Sequence, residues 1–198
     1  MTGPPADAAE LLERALGYTA GSLALVRPAL LSRPTPCAGW DLRTLLRHTN
    51  DSLLALLEAT GPGWVAPPRP AGTAAEAAAD PVGMLRQRAC TLLARCAADT
   101  GPDVVAVGDR LLAARTVAAA GALEIAVHGW DVARACGADR PLPPSFALRL
   151  LKVSRLLVDD VDRPVRFAPP IPVGDGDGAD VRLLAFLGRD AVAKAKAA

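Results

Sequence analysis

Apolar side chains recur at three- and four-residue intervals along most of this chain, the spacing that places them on one face of an α-helix. Between Asp7 and Leu31 the repeating positions are Ala8, Leu11, Leu12, Ala15, Leu16, Leu23 and Val26, and Pro28 is placed to kink or end that helix. Ser32-Arg-Pro-Thr-Pro-Cys-Ala-Gly39 reads as a proline-rich loop. Asp41 then N-caps a second predicted helix carrying Leu42, Leu45, Leu46, Leu53, Leu54 and Leu57. Gly61 to Asp80 is rich in Pro, Gly and Ala, with Trp64 its only large side chain, which predicts a long connection of the kind that often forms a lid.

A third helix is predicted from Pro81 through Met84, Leu85, Leu92, Leu93 and Ala97 to about Asp99-Thr-Gly-Pro102. The β-branched run Val104 to Val107 is expected to be an extended approach to a fourth helix over about Asp109 to Cys136, stopped by Gly137. A fifth follows Pro143-Pro144 and runs to about Val161. Val165-Arg-Phe167 and Ile171-Pro-Val173 read as short extended pieces, Gly174-Asp-Gly-Asp-Gly178 as a turn, and Asp180 as the cap of a last helix ending near Gly188. The fold class is therefore mainly α: an up-and-down helical bundle with a small C-terminal strand/helix embellishment. Residues 1–163 are read as the bundle and 164–198 as a short extension packed on it, since 198 residues fit one domain.

Charge removes several function classes. The net charge is +1, with cationic and anionic residues scattered rather than grouped, so no nucleic-acid or membrane-surface footprint is present. No stretch of 18 or more apolar residues could span a bilayer. Met1-Thr-Gly-Pro-Pro-Ala-Asp lacks the basic and apolar regions of a secretory signal, so a cytoplasmic location is expected. Cys37, Cys90, Cys96 and Cys136 form no CxxC pair or dense framework, so reduced thiols are expected.

The chemistry concentrates at the only two histidines. His48 falls in the middle of the second predicted helix. Glu124 precedes His128 by four residues on the fourth, which brings both side chains onto one face about 40° apart. An i,i+4 Glu/His pair is common by chance, but Leu123, Ile125, Val127 and Trp130 make this segment apolar, and a buried carboxylate there needs a partner. A metal ion is an economical one. With His48 completing the set, the prediction is a mononuclear His48/Glu124/His128 site with open positions, suited to zinc first, with nickel, iron, manganese and copper as other fits. Asp131, three residues after His128, either orients an imidazole or positions a bound water in that scheme; its alternative is a plain surface carboxylate.

Thr35-Pro-Cys-Ala-Gly-Trp-Asp41 with His48 seven residues on, followed by Glu124-Ile-Ala-Val-His128-Gly-Trp-Asp131-Val-Ala-Arg-Ala, closely resembles the actinobacterial metal-binding branch of the DinB/YfiT-like superfamily, which includes mycothiol-dependent maleylpyruvate isomerase. Leu183-Leu-Ala-Phe-Leu-Gly-Arg-Asp190 resembles the ending of other members of that branch. The resemblance implies a DinB-like four-helix bundle holding one divalent metal, usually zinc, through His48, Glu124 and His128. It further implies that a low-molecular-weight thiol, mycothiol, approaches the metal, becomes a thiolate and attacks a small electrophile, as a transferase or isomerase does.

Trp40 and Trp130 are read as core anchors beside the site. Cys37 is placed to reach the metal or act as a thiol, or to serve as a small buried hydrophobe. Arg86, Arg88 and Arg115 are the arginines considered for a substrate or cofactor carboxylate. The expected partner is a small molecule, with neither nucleic acid nor membrane, and the expected assembly is a monomer or homodimer. The rival functions are a metal-dependent tailoring enzyme of secondary metabolism that uses no mycothiol, and a non-catalytic metal-binding module.

Overall fold

The computed structural model describes residues 5–67, 80–98, 100–163 and 166–192. Four long helices form the bundle: α1 (Pro5–Leu23), α2 (Leu42–Thr60), α3 (Pro81–Ala98) and α4 (Ala114–Ala135). They close a ring in which α1 packs on α4, α4 on α2, α2 on α3 and α3 on α1. The last two helices, α5 (Pro144–Leu157) and α6 (Ala179–Phe186), pack on each other, and α5 also lies against α4. The molecule is mainly helical, as the periodicity predicts, and it carries a small three-stranded sheet that lies before α4 rather than at the C-terminus.

Helix α4 sits at the centre. From Ala122 to Ala135 every residue except Glu124 and Arg134 is buried, so this helix is covered all round rather than along one stripe. Leucines of α1, α2, α3, α5 and α6 join its apolar residues in one continuous core. Small residues set the closest approach: a Cβ on Gly129 would meet the Thr19 side chain and lie 3.1 Å from the Thr19 Cα. Thr19 Oγ1 uses that proximity to donate to the Ile125 carbonyl at 2.7 Å.

Several boundaries differ from the sequence expectation, each for a local reason. Helix α1 stops at Leu23 rather than near Leu31. Arg27, held extended at φ −125° and ψ 150° by the following Pro28, cannot continue a helix, and Pro28–Leu30 forms a separate 3-10 turn. Helix α4 begins at Ala114, not near Asp109, because Val104–Val107 (β2) and Arg110–Ala113 (β3) form an antiparallel hairpin. Its two-residue turn is Gly108-Asp109, with Gly108 at φ +60°. Trp64–Val65 (β1) adds to β2 in parallel, giving the order β1-β2-β3.

The strands therefore come from either side of α3. Ile171 to Val173 is in no strand, though the Ile171 amide donates to the Ala185 carbonyl. Residues 68–79 of the expected lid and residue 165 lie outside the described residues. Asp180 sits in the first turn of α6, where its charge favours the helix dipole; Gly178 takes the N-cap position. Asp41 does cap α2, its side chain accepting from the Thr44 amide at 2.8 Å. Gly137, at φ +80°, ends α4, its amide donating to the Arg134 carbonyl and that of Ala138 to the Ala133 carbonyl. All four cysteines are free thiols. Among the described residues no helix is long and apolar enough to cross a membrane.

Candidate metal centre

Two helices and one loop build the site. On α4, Glu124, His128 and Asp131 stand at i, i+4 and i+7, within about 60° of one another around the axis, so they form a single stripe. On the facing α2, His48 and Ser52 are one turn apart. The loop before α2 is closed by Thr35, whose hydroxyl accepts from the Cys37 amide at 3.2 Å and donates to the Trp40 carbonyl at 3.0 Å. Gly39 at φ +78° permits that tight reversal, and it presents Cys37 and Trp40 to the stripe.

His48 Nε2 lies 2.6 Å from Glu124 Oε1, and His128 Nε2 lies 3.1 Å from the same oxygen. The two imidazole rings are 5.0 Å apart between centroids and perpendicular. Trp40 forms a wall, edge-on to His48 at 4.8 Å and stacked toward His128 at 6.4 Å. The three residues the sequence singles out are thus brought together from positions 76 residues apart. His128 is buried, while the side chains of His48 and Glu124 keep 39% and 36% exposure, so the cluster is supported from behind and open to solvent on the His48/Glu124 side.

Behind His128 is a second layer. Asp131, fully buried, places Oδ2 3.0 Å from His128 Nδ1 and accepts from the Cys37 thiol at 3.3 Å. Arg189 donates to both carboxylate oxygens, Nε to Oδ1 at 2.9 Å and Nη2 to Oδ2 at 2.8 Å. The surface alternative for Asp131 is therefore ruled out by its position. Cys37 lies on the Nδ1 side of the imidazole, 3.9 Å from that nitrogen, whereas the His48/Glu124 cluster faces Nε2. The ring itself stands between the thiol and that cluster.

Charge reinforces the geometry. Burial pushes the Asp131 carboxyl up, but Arg189 and the His128 bond outweigh it and hold the group at about 2. Burial disfavours charge on His128 as well, yet Glu124 and the Asp131 bond raise it well above the usual imidazole range. The same pairing, with His48 added, overrides burial to hold Glu124 well below the carboxylate range. Two carboxylates and one guanidinium leave one net negative charge when both imidazoles are neutral, an environment that favours a cation between them.

His48, Glu124 and His128 each offer one ligand atom within 4.8 Å of the others, as do Cys37, His128 and Asp131. Two imidazole nitrogens and one carboxylate oxygen fit a divalent transition metal with positions left open. The second group fits less well, because Arg189 already neutralises Asp131. Ser52 is a contributor that the sequence reading missed: its hydroxyl lies 3.1 Å from both Glu124 Oε1 and the His48 carbonyl. Its spacing, four residues after His48, was the available signal. Arg189 stands in the C-terminal Leu183–Asp190 motif, but at 58 residues from Asp131 nothing in its spacing pairs the two.

The three arginines considered for substrate lie elsewhere. Arg88 donates to the Asn50 carbonyl at 2.6 Å, and Arg86 borders an apolar groove between α1 and α3. Arg115 is in the first turn of α4, nine residues before Glu124 and about 180° round the helix from it. Trp130 is buried, with the Arg134 guanidinium 5.4 Å from its ring centre, and Trp40 is half-buried.

A sequence-family profile described as the Mycothiol maleylpyruvate isomerase N-terminal domain matches residues 12–133, which include the whole histidine and glutamate cluster. No significant match was found among curated proteins or among solved structures.

Proposed function

Because this chain belongs to the mycothiol maleylpyruvate isomerase N-terminal domain family, we propose that it is a metal-dependent enzyme that uses a low-molecular-weight thiol, mycothiol by family, on a small electrophilic substrate. The observation that carries the reading is the convergence of His48 Nε2, His128 Nε2 and Glu124 Oε1 at a cluster open on one side. These three side chains would hold the ion, zinc suiting the donor set first. When bound, such an ion lowers the pKa of a coordinating thiol and so supplies a nucleophile at neutral pH.

The chain's own groups do the positioning. Ser52 fixes the Glu124 oxygen that faces both histidines, and Asp131 holds His128 by its far nitrogen so that Nε2 points into the cluster. Trp40 walls one side and leaves the His48/Glu124 side for thiol and substrate. In the reaction class proposed, the thiol proton leaves and the sulfur lone pair forms a C–S bond to the electrophile. The displaced π electrons then either take up a proton, completing transfer, or, after rotation about the carbon–carbon bond left single, return to expel the sulfur, completing isomerisation.

The test is metal content of untagged protein by elemental mass spectrometry, followed by thiol-dependent turnover of an electrophile panel. One ion per chain in the wild type, lost in His48→Ala and Glu124→Ala, is the expected result. Wild-type protein that takes up none of zinc, nickel, manganese, iron or copper would overturn the proposal. Turnover without any thiol would instead support the tailoring-enzyme alternative.

A further inference from the structure

The matched family region ends at residue 133, yet the deepest support of the cluster comes from beyond it. Helix α6 ends in a left-handed glycine turn: the Gly188 amide donates to the Ala185 carbonyl at 3.0 Å, and the Arg189 amide to the Leu184 carbonyl at 2.8 Å. Gly188 is at φ +75°, and a Cβ there would lie 2.7 Å from the Ala168 carbonyl oxygen, so only glycine fits. That turn reverses the chain directly after the buried Leu183, Leu184 and Leu187 and aims Arg189 back at α4. The guanidinium, 11% exposed, meets a fully buried carboxylate through its planar fork.

We propose that Arg189 is a positioning residue for the metal centre: through Asp131 it fixes the His128 imidazole with Nδ1 toward the carboxylate and Nε2 toward Glu124 and His48. The inference rests on the metal-site reading above. Asp131 alone could swing toward Cys37, whose thiol shares Oδ2, whereas two hydrogen bonds from a planar guanidinium fix the carboxylate plane and therefore the imidazole plane. The C-terminal turn is thereby part of the site, contributing its back wall, and Gly188 contributes by conformation alone.

The test is zinc affinity of the full chain, read by competition with a chromophoric chelator, together with the visible spectrum of the cobalt(II) form, which reports ligand geometry. Wild type is compared with Arg189→Met, Asp131→Asn, the double variant and Gly188→Ala, each checked for helicity. The expected result is at least a tenfold loss of zinc affinity in Arg189→Met, a changed cobalt spectrum, and a double variant no weaker than Asp131→Asn. Gly188→Ala should weaken zinc binding in the same direction. If Arg189→Met fails to fold, Arg189→Lys, which keeps the charge and loses the fork, is expected to bind zinc more weakly than wild type. Unchanged affinity in the folded variants, or losses that add independently in the double variant, overturns this inference alone. A wild-type chain that takes no zinc overturns the metal-site reading and this inference with it.

Discussion

Asp131 places Oδ2 3.0 Å from His128 Nδ1, one helical turn further along α4, and both side chains lie in the interior. The carboxylate answers two cationic or potentially cationic groups at once, and Arg189 is the one that stays charged at every accessible pH. Removing the carboxylate leaves that guanidinium buried and unpaired. Asp131→Ala is therefore expected to cost about 3 kcal/mol or more in urea unfolding, whereas adding Arg189→Met to it should recover part of the loss. A double variant less stable than Asp131→Ala would show that the pair is not the dominant electrostatic feature of this region.

The cap on α2 makes a pH-dependent prediction. Asp41 accepts from the Thr44 amide, and hydrogen bonding from the Thr44 side chain and amide together holds its carboxyl below the usual value. A depressed carboxyl stabilises the fold above its unfolded pKa, near 4, and that contribution is lost as pH falls through the folded value. Asp41→Ala should cost about 1 kcal/mol at neutral pH. The difference between variant and wild type should shrink below about pH 4. Urea melts at pH 7 and pH 3 provide the check, and a difference that does not diminish would show that the cap acts through packing.

How much of this was legible in the sequence differs by feature. Glu124, His128 and Asp131 share a stripe because their spacing is local, and the leucine spacing on α2 places His48 within a helix, so the candidate cluster could be read from two segments. The β2–β3 hairpin was missed because a four-residue apolar strand followed by Arg110-Leu-Leu-Ala113 reads equally well as the start of a helix. Gly108-Asp109 was the local signal against it. The pairing of Arg189 with Asp131 depends on where α6 packs and on the turn at Gly188, neither of which has a periodic signature.

Two glycines of α4 should respond oppositely to alanine. At Gly121 the atoms nearest the new Cβ are the Leu56 methyl groups and Cγ, on a side chain that can rotate aside, and alanine is the better helix former by about 1 kcal/mol. At Gly129 it meets the Thr19 side chain and presses on the α1 backbone, which would push the two helices apart and strain the Thr19 bond to the Ile125 carbonyl. Gly121→Ala is expected to be within about 1 kcal/mol of wild type, and Gly129→Ala to lose about 1–3 kcal/mol. Thermal melts of the two variants side by side test the ordering, and equal stabilities would mean that α1 can shift without cost.

Metal addition should stabilise the fold through the same residues that would bind it. A ligand that binds only the folded chain adds RT ln(1 + [L]/Kd), or about 2.7 kcal/mol when free metal is a hundred times its dissociation constant. The donors lie on α2 and α4, so binding would tie together two helices that already pack in the bundle. Zinc should therefore raise the urea midpoint of wild type without changing the denaturant slope, because no new surface is buried. Glu124→Gln removes the anionic oxygen shared by His48 and His128 while keeping nearly the same volume, and should abolish most of the rise. A rise of the same size in Glu124→Gln would assign zinc to other groups, with the Cys37/His128/Asp131 cluster the next to test.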